Sequence, residues 1–410
     1  SFAFRNSCRS CVTQPEEVPS LLMDALLFPR KEVRYVAAMA ASRLKPGAGA
    51  SVGPLKLTQL DPPDLPGVGW EHVTTRLAGI CGSDLATIDG QASRYFESLA
   101  SFPFIPGHEV VGERADGSRV VLEPVLGPET RGEVPAWPGA AQADGNDYGH
   151  LVSGDLEPGL QTGSCASTGG GWSEVFAAHS SQLHEVADEL SDEAAVMIEP
   201  TAAGVHAVLR GNVPDGGTVA VIGAGTMGLT AIAALRKFTK ADAIVVAARY
   251  PHQHKAARLL GADLTVVPEE LGRAIRRAAG TRVIGSTLGS GVDVTIDAVG
   301  SSNSLTDAIA FTRPRGRVVL LGMPNQVDMN LTALWHRETE LVGAYCYGTE
   351  HAHGDTHTFV LATELVTDLD LGQLVSELYP LSEYQTAIEH AAQAGPRGLI
   401  KVAFDLRSAA

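Results

Sequence analysis

From residue 216 onward, short apolar runs alternate with amphipathic stretches. Thr218-Val-Ala-Val-Ile222 reads as a buried strand and residues 227–238 as a helix. Ala243-Ile-Val-Val-Ala247 is the next strand, and residues 254–260 the next helix, closed by Gly261. Asp263-Leu-Thr-Val-Val267, Val292-Asp-Val-Thr-Ile296 and Gly316-Arg-Val-Val-Leu-Leu321 continue the series. Strands that alternate with helices in this way predict a doubly wound parallel sheet, with its ligand at the carboxyl ends of the strands. The preceding part, residues 23–200, has a different texture. Short runs such as Ser118-Arg-Val-Val-Leu-Glu123 are punctuated by Gly and Pro, which predicts a strand-rich unit. Between them, residues 192–198 and 201–210 are helical in composition, with Ser191 as N-cap.

Glycines mark where the first β-α unit would meet a ligand. Gly223, Gly225 and Gly228, with Thr226 and Met227 among them, follow a strand and open a helix. The first glycine permits a tight turn, the second admits a pyrophosphate to the backbone, and the third lets helix and strand pack. The N–H groups of the helix start then hold the anion. Gly223-x-Gly-x-x-Gly alone is a weak signal; its place in a βαβ pattern makes it a dinucleotide fingerprint.

A second constellation carries reactive chemistry. Ala78-Gly-Ile-Cys-Gly-Ser-Asp84 supplies Cys81, Ser83 and Asp84. Pro103-Phe-Ile-Pro-Gly-His-Glu109 supplies His108 and Glu109, and Ile198-Glu-Pro200 supplies Glu199. One thiolate, one imidazole and two carboxylates make a ligand set for a zinc ion with an open position. A lone Cys or His is more often a packed residue than a ligand, and Glu199 also suits a helix start that favours negative charge. In this order, ahead of the glycine fingerprint, the chain resembles the zinc-containing medium-chain dehydrogenase/reductase family, from about residue 23 to the C-terminus.

The resemblance implies an α/β architecture: a strand-rich GroES-like catalytic domain over 23–200 and 345–410, and a Rossmann dinucleotide-binding domain over 201–344, behind a tail at 1–22. It implies a zinc-dependent dehydrogenase or carbonyl reductase acting on a small alcohol or carbonyl. Cys81 and His108 would bind the metal. Glu199 takes the family's third ligand position, with Glu109 as the other candidate, and the sequence does not choose between them. Asp84 would accept a hydrogen bond from the His108 ring, and Ser83 would pass on the substrate proton. The residues at the ends of two later strands, Val299 and Leu321, would lie beside the nicotinamide. Two departures stand out. The stretch 124–150, where many members hold a structural zinc with four cysteines, has no cysteine, so one catalytic zinc and no structural zinc are expected. Leu85-Ala86 stands where many members carry a relay histidine.

Cofactor choice rests on the end of the second strand. An acidic residue there would select NAD; Ala248 stands in its place, followed by Arg249. A guanidinium can grip a 2′-phosphate, which favours NADP(H) over NAD(H). The remaining numbers narrow the setting. A net charge of −16 argues against nucleic acid and anionic membrane as partners. Five scattered cysteines, Cys8, Cys11, Cys81, Cys165 and Cys346, point to a reducing cytoplasm and not a disulfide framework. The apolar stretch 216–235 is broken by the fingerprint glycines and is no membrane span. Cys165 sits in a Gly/Ser-rich loop, and Tyr95, Phe96, Phe102 and Phe104 either line a substrate pocket or pack. The family resemblance also implies a homodimer or homotetramer. Two other readings compete: a metal-independent reductase of a conjugated double bond or imine, and a nucleotide-binding protein without catalysis.

Overall fold

A computed structural model describes residues 22–407. The Cys8–Cys11 pair and, apart from Leu22, the segment read as a tail lie outside the described residues. The alternating β-α series folds as its pattern requires. Its six-stranded sheet has the spatial order Leu264–Val266, Ala243–Ala247, Thr218–Ile222, Val292–Asp297, Thr312–Leu320, Glu340–Gly343. All five neighbouring pairs are parallel. The chain therefore winds outward twice from Thr218–Ile222, and the order reverses between that strand and Val292–Asp297. This reversal opens a crevice at the carboxyl ends of the two central strands. The strands are buried Val, Ile and Ala, and the helix Thr226–Phe238 presents Leu229, Ile232 and Leu235 to them.

The strand-rich unit is a second, mainly antiparallel sheet. Trp70–Gly79 is its long central strand, paired with Val110–Glu113 on one side and with Val175–His179 along its first half. The C-terminal strand Lys401–Asp405 returns to pair with Leu77–Gly79, which places residues more than three hundred positions apart side by side. The helix Ile198–Gly211 packs against Thr226–Phe238 and against Thr358–Leu369. Just ahead of it, Ser191 caps its helix as expected, its Oγ accepting from Ala194 N at 3.1 Å. Buried Asp192 takes Arg76 and Arg119 at 3.0 and 2.9 Å, which fixes this junction to the catalytic sheet.

Two segments differ in detail from the sequence pattern. Glu32–Ser42 is a helix inserted after the first strand, in a region read as strand-rich. Its Ala-rich interior favours helix and outweighs the turn signals on either side. The long segment after Pro124 holds only short 3-10 turns, Glu129–Arg131 and Gly149–Val152, as its Gly/Pro content suggests. With no four-cysteine set to gather a metal, the lobe is organised by a side chain. Buried Arg131 donates to the carbonyls of Ser153, Leu156, Glu157 and Gly159 at 3.1–3.3 Å. One guanidinium, with its fork of donors, thus satisfies four carbonyls of a loop that has no ladder of its own. Cys165 is fully buried and donates to Glu157 O at 3.3 Å, a structural thiol of this lobe.

Candidate active site

The end of the long central strand turns at Ile80 into a short helix, Gly82–Ile88, whose N-cap is Cys81. Cys81 N donates to Asp84 Oδ2 at 3.0 Å, so the Cys-x-x-Asp spacing closes the helix start on itself. The other carboxylate oxygen of Asp84 lies 3.5 Å from His108 Nδ1. Asp84 therefore closes the thiol-bearing turn and stands beside the imidazole, where a carboxylate behind a ligating histidine would lie. Ser83 Oγ lies 3.5 Å from the opposite ring atom, His108 Nε2. Burial alone would push the His108 imidazole down; Asp84, and then Cys81, together more than offset this and hold its pKa well above the ordinary histidine range.

The ligand atoms of Cys81, His108 and Glu109 all lie within 4.8 Å of one another. A soft thiolate, an imidazole and a carboxylate at this separation fit a zinc ion with one position left for substrate. Glu199 is buried beside this group but outside it. Its Oε1 accepts from Tyr347 Oη at 2.9 Å. Burial, and then the charge of Glu109, push the Glu199 carboxyl up to about 7. Of the two carboxylates that the sequence leaves open, the geometry thus gathers Glu109 with Cys81 and His108.

Glu109 has a partner that local sequence gives no hint of. Lys401 Nζ, on the returning C-terminal strand, pairs with Glu109 Oε2 and donates to Ile80 O at 3.2 Å. Both side chains are 2% exposed. Burial opposes the ammonium, while Glu109 and then Cys81 hold its pKa up. Gly79 makes room for the pair: a Cβ there would overlap the Glu109 carboxylate and the Lys401 stem.

The nucleotide face matches its fingerprint. Gly223 has φ +94°, a conformation that a side chain would strain. A Cβ on Gly228 would collide with Gly223 O, and Gly225 faces open space where a pyrophosphate could approach. Thr226 and Met227 begin the helix, and Thr226 Oγ1 donates to Ile400 O at 3.3 Å. Val299 is half exposed at the end of Val292–Asp297, while Leu321 is buried beyond the next strand. Ala248 is buried at the end of the second strand, bonded through its N–H to Val266 O. Arg249 is exposed, and its guanidinium has no hydrogen bond or ion pair among the described residues. Between the sheets, a cavity of about 310 Å³ is lined by Ala86, Gln91, Gly300, Ser301, Met323 and Asn325, among others. Asn325 bridges it by donating to Gln91 O at 2.6 Å. The Cys81 helix thus overlooks the crevice at the strand ends. Phe102 and Phe104 pack with Phe28, with centroids 6.4 and 5.2 Å from its ring, whereas Tyr95 is exposed.

Comparison with known proteins agrees with both halves. Residues 67–188 match the alcohol dehydrogenase GroES-like domain, and residues 226–362 match the zinc-binding dehydrogenase domain. The chain belongs to the zinc-containing medium-chain dehydrogenase/reductase family. Sorbitol dehydrogenase of Bacillus subtilis is 28% identical over 346 residues, covering 83% of this chain and 91% of that protein. L-idonate 5-dehydrogenase of Vitis vinifera is 27% identical, covering 86% and 93%. The 2R,3R-butanediol dehydrogenase structure from Bacillus subtilis superposes with a TM-score of 0.68 at 21% identity, covering 93% and 99%. As a member of this family the chain is an oxidoreductase of CH–OH groups that works with zinc and a nicotinamide cofactor. No helix among the described residues is long and apolar enough to cross a membrane.

Sequence reasoning missed Lys401, Tyr347 and the lobe-holding Arg131. A lysine on a strand otherwise buried as Val-Ala-Phe was the available signal, since a buried lysine calls for a charged partner.

Proposed function

We propose that this chain oxidises a secondary alcohol, or reduces the matching ketone, on a small polyhydroxylated substrate, with NADP(H) as its partner. The observation that carries this reading is the convergence of Cys81, His108 and Glu109 above the crevice at the strand ends. Sorbitol and idonate dehydrogenases among the relatives support the substrate class. Cys81, His108 and Glu109 hold the zinc, which when bound supplies a Lewis acid for the substrate oxygen. Asp84 keeps the imidazole in place. Ser83, whose Oγ lies 3.5 Å from His108 Nε2, would accept the proton of the reacting hydroxyl while passing its own to water. Glu199, held by Tyr347, is a nearby carboxyl that can share a proton near neutral pH. The backbone beyond Val292–Asp297 and Thr312–Leu320 supports the nicotinamide, with Val299 and Leu321 beside it. In this reading the catalytic unit comprises 23–200 with 345–410, the Rossmann unit is 201–344, and the protein works in the cytoplasm. A metal-independent reductase or an inactive nucleotide binder would need no such gathering of ligands.

Zinc-loaded protein assayed against polyols, secondary alcohols and their ketones, followed by NADPH absorbance, tests the activity. Failure to turn over any of them with either cofactor overturns it. The cofactor preference has its own test. Arg249 is free to bind a phosphate, and charge-assisted pairing is worth about 1.5–3 kcal/mol, or roughly tenfold to a hundredfold in binding. Arg249→Ala should raise KM for NADPH by about that factor and leave KM for NADH nearly unchanged. Equal effects on the two cofactors would remove Arg249 as the phosphate clamp.

The outer strand Glu340–Gly343 is the edge of the Rossmann sheet and has no further neighbour among the described residues. Trp335, Leu331 and Leu341 are 78%, 53% and 37% exposed in and just before it. An apolar, unpaired edge of this kind is commonly closed by a symmetric copy, which supports a homodimer as the basic unit. Sedimentation velocity reads this directly: a dimer or a tetramer built from dimers is expected, and a monomer at micromolar concentration contradicts it.

A further inference from the structure

A second group of metal-binding side chains lies away from Cys81. Glu123 follows the strand Arg119–Leu122, His184 lies in Leu183–Glu185, and His357 caps the helix Thr358–Leu369. The three come from distant parts of the chain and meet on one carboxylate oxygen. His184 Nε2 is 2.9 Å and His357 Nε2 3.1 Å from Glu123 Oε2. We propose that Glu123, His184 and His357 form a second metal site, for a divalent ion of the zinc class, that ties the root of the long segment after Pro124 to the helix Thr358–Leu369.

The rings are already oriented. His184 stacks on Phe359 with centroids 4.6 Å apart, and its own centroid is 5.0 Å from that of His357. Gln142 N donates to Glu123 Oε1 at 3.3 Å and holds the carboxylate so that Oε2 faces both rings. Ligand atoms about 2.1 Å from a tetrahedral ion lie roughly 3.4 Å apart. All three atoms fall within 4.8 Å of one another, so an ion needs only a small opening of the group. Glu123 is 1% exposed, whereas the histidine side chains are 27% and 22% exposed, which leaves an entry route and room for water. Asp144 and Glu350 lie close enough to act on His357 and add negative charge. His206 and Thr358 bond to Glu350, and Thr349 bonds to Asp144, so both carboxylates are held in place.

Binding has one identifiable cost. His357 Nδ1 accepts from Phe359 N at 3.1 Å, so the ring now carries its proton on Nε2. A metal at Nε2 moves that proton to Nδ1 and breaks the cap, so the ion must outweigh one capping hydrogen bond. Nδ1 of His184 has no such conflict, because no backbone N–H claims it among the described residues. The consequence reaches the active site. Phe359 packs edge-on against Tyr347 at 4.8 Å, and Tyr347 holds Glu199. The expectation of one zinc per chain rested on the missing four-cysteine set, and a site of two histidines and one carboxylate lies outside that reasoning.

The test counts metal in the full chain, loaded with zinc, desalted and analysed by mass spectrometry. Wild type should hold two equivalents. Cys81→Ser should hold one, His357→Asn one, and the double variant none. Asparagine is a good N-cap, so His357→Asn removes the ligand while keeping the helix start. Cobalt-loaded Cys81→Ser provides a second readout: visible d–d bands without an intense thiolate band are expected, and His184→Ala should abolish them. The proposal is overturned if wild type holds one equivalent and Cys81→Ser none, if His357→Asn keeps two, or if cobalt-loaded Cys81→Ser is colourless. Because Cys81→Ser and His357→Asn remove different equivalents, failure of this site and failure of the catalytic assignment give different counts.

Discussion

Cys81→Ser is expected to lose one equivalent of zinc and to lower turnover by about three orders of magnitude or more, while the fold survives. Serine keeps the backbone N–H that donates to Asp84 Oδ2, and it is itself a preferred N-cap, so the helix Gly82–Ile88 should still form. What disappears is the soft anionic ligand, because an uncharged hydroxyl cannot replace a thiolate on zinc. A Lewis acid contributes several kcal/mol to the barrier, and each 1.36 kcal/mol is tenfold in rate, which gives the estimate of about a thousandfold. Metal analysis, kcat and thermal unfolding measured on one preparation check all three parts. Unchanged metal content and activity would sink Cys81 as a ligand. A collapse of stability would show that the thiol is structural instead.

Lys401→Met should destabilise the protein by about 3–5 kcal/mol, the usual cost of leaving a buried charge without its partner. Lys401 and Glu109 are each 2% exposed, and the ammonium is the ion-pair partner of Glu109 among the described residues. The size of the loss should depend on zinc. If Glu109 is a ligand, the zinc-loaded variant is destabilised less than the chelator-treated one. Adding Glu109→Gln should restore much of the stability lost on metal removal, because the stranded charge is then gone. Denaturant unfolding of wild type, Lys401→Met, Glu109→Gln and the double variant, with and without zinc, measures this coupling. A loss under about 1 kcal/mol, with no recovery in the double variant, would mean that the pair is not the electrostatic unit described here.

How far the sequence reached can be traced residue by residue. The Rossmann sheet was legible because its information is local: apolar runs, helical stretches and glycines at fixed spacing each specify their own unit. Gly223 and Gly228 could be assigned roles from their spacing within a strand-turn-helix pattern, and both positions reject a side chain for the expected reasons. Cys81, Ser83 and Asp84 were legible for the same reason, since one turn of helix gathers them. The helix Glu32–Ser42 was missed although its composition is local, because turn residues around it set the texture of the whole region.

Tertiary structure alone decided the rest. Lys401 meets Glu109 across 292 positions, and Tyr347 meets Glu199 across 148. His184 reaches Glu123 because their strands are paired in the catalytic sheet, and His357 joins them only because a distant helix returns to that sheet. No periodicity encodes such meetings. A polar residue on a buried strand shows that it needs a partner, since burial without one is costly, but not which partner it will find. The sequence by itself therefore determined the two architectures and the short-range half of the active site. Which carboxylate lies with Cys81 and His108, the charge paired with it and the second histidine group depended on how the sheets and the C-terminal return pack, because these are contacts between segments that only the folded chain brings within reach.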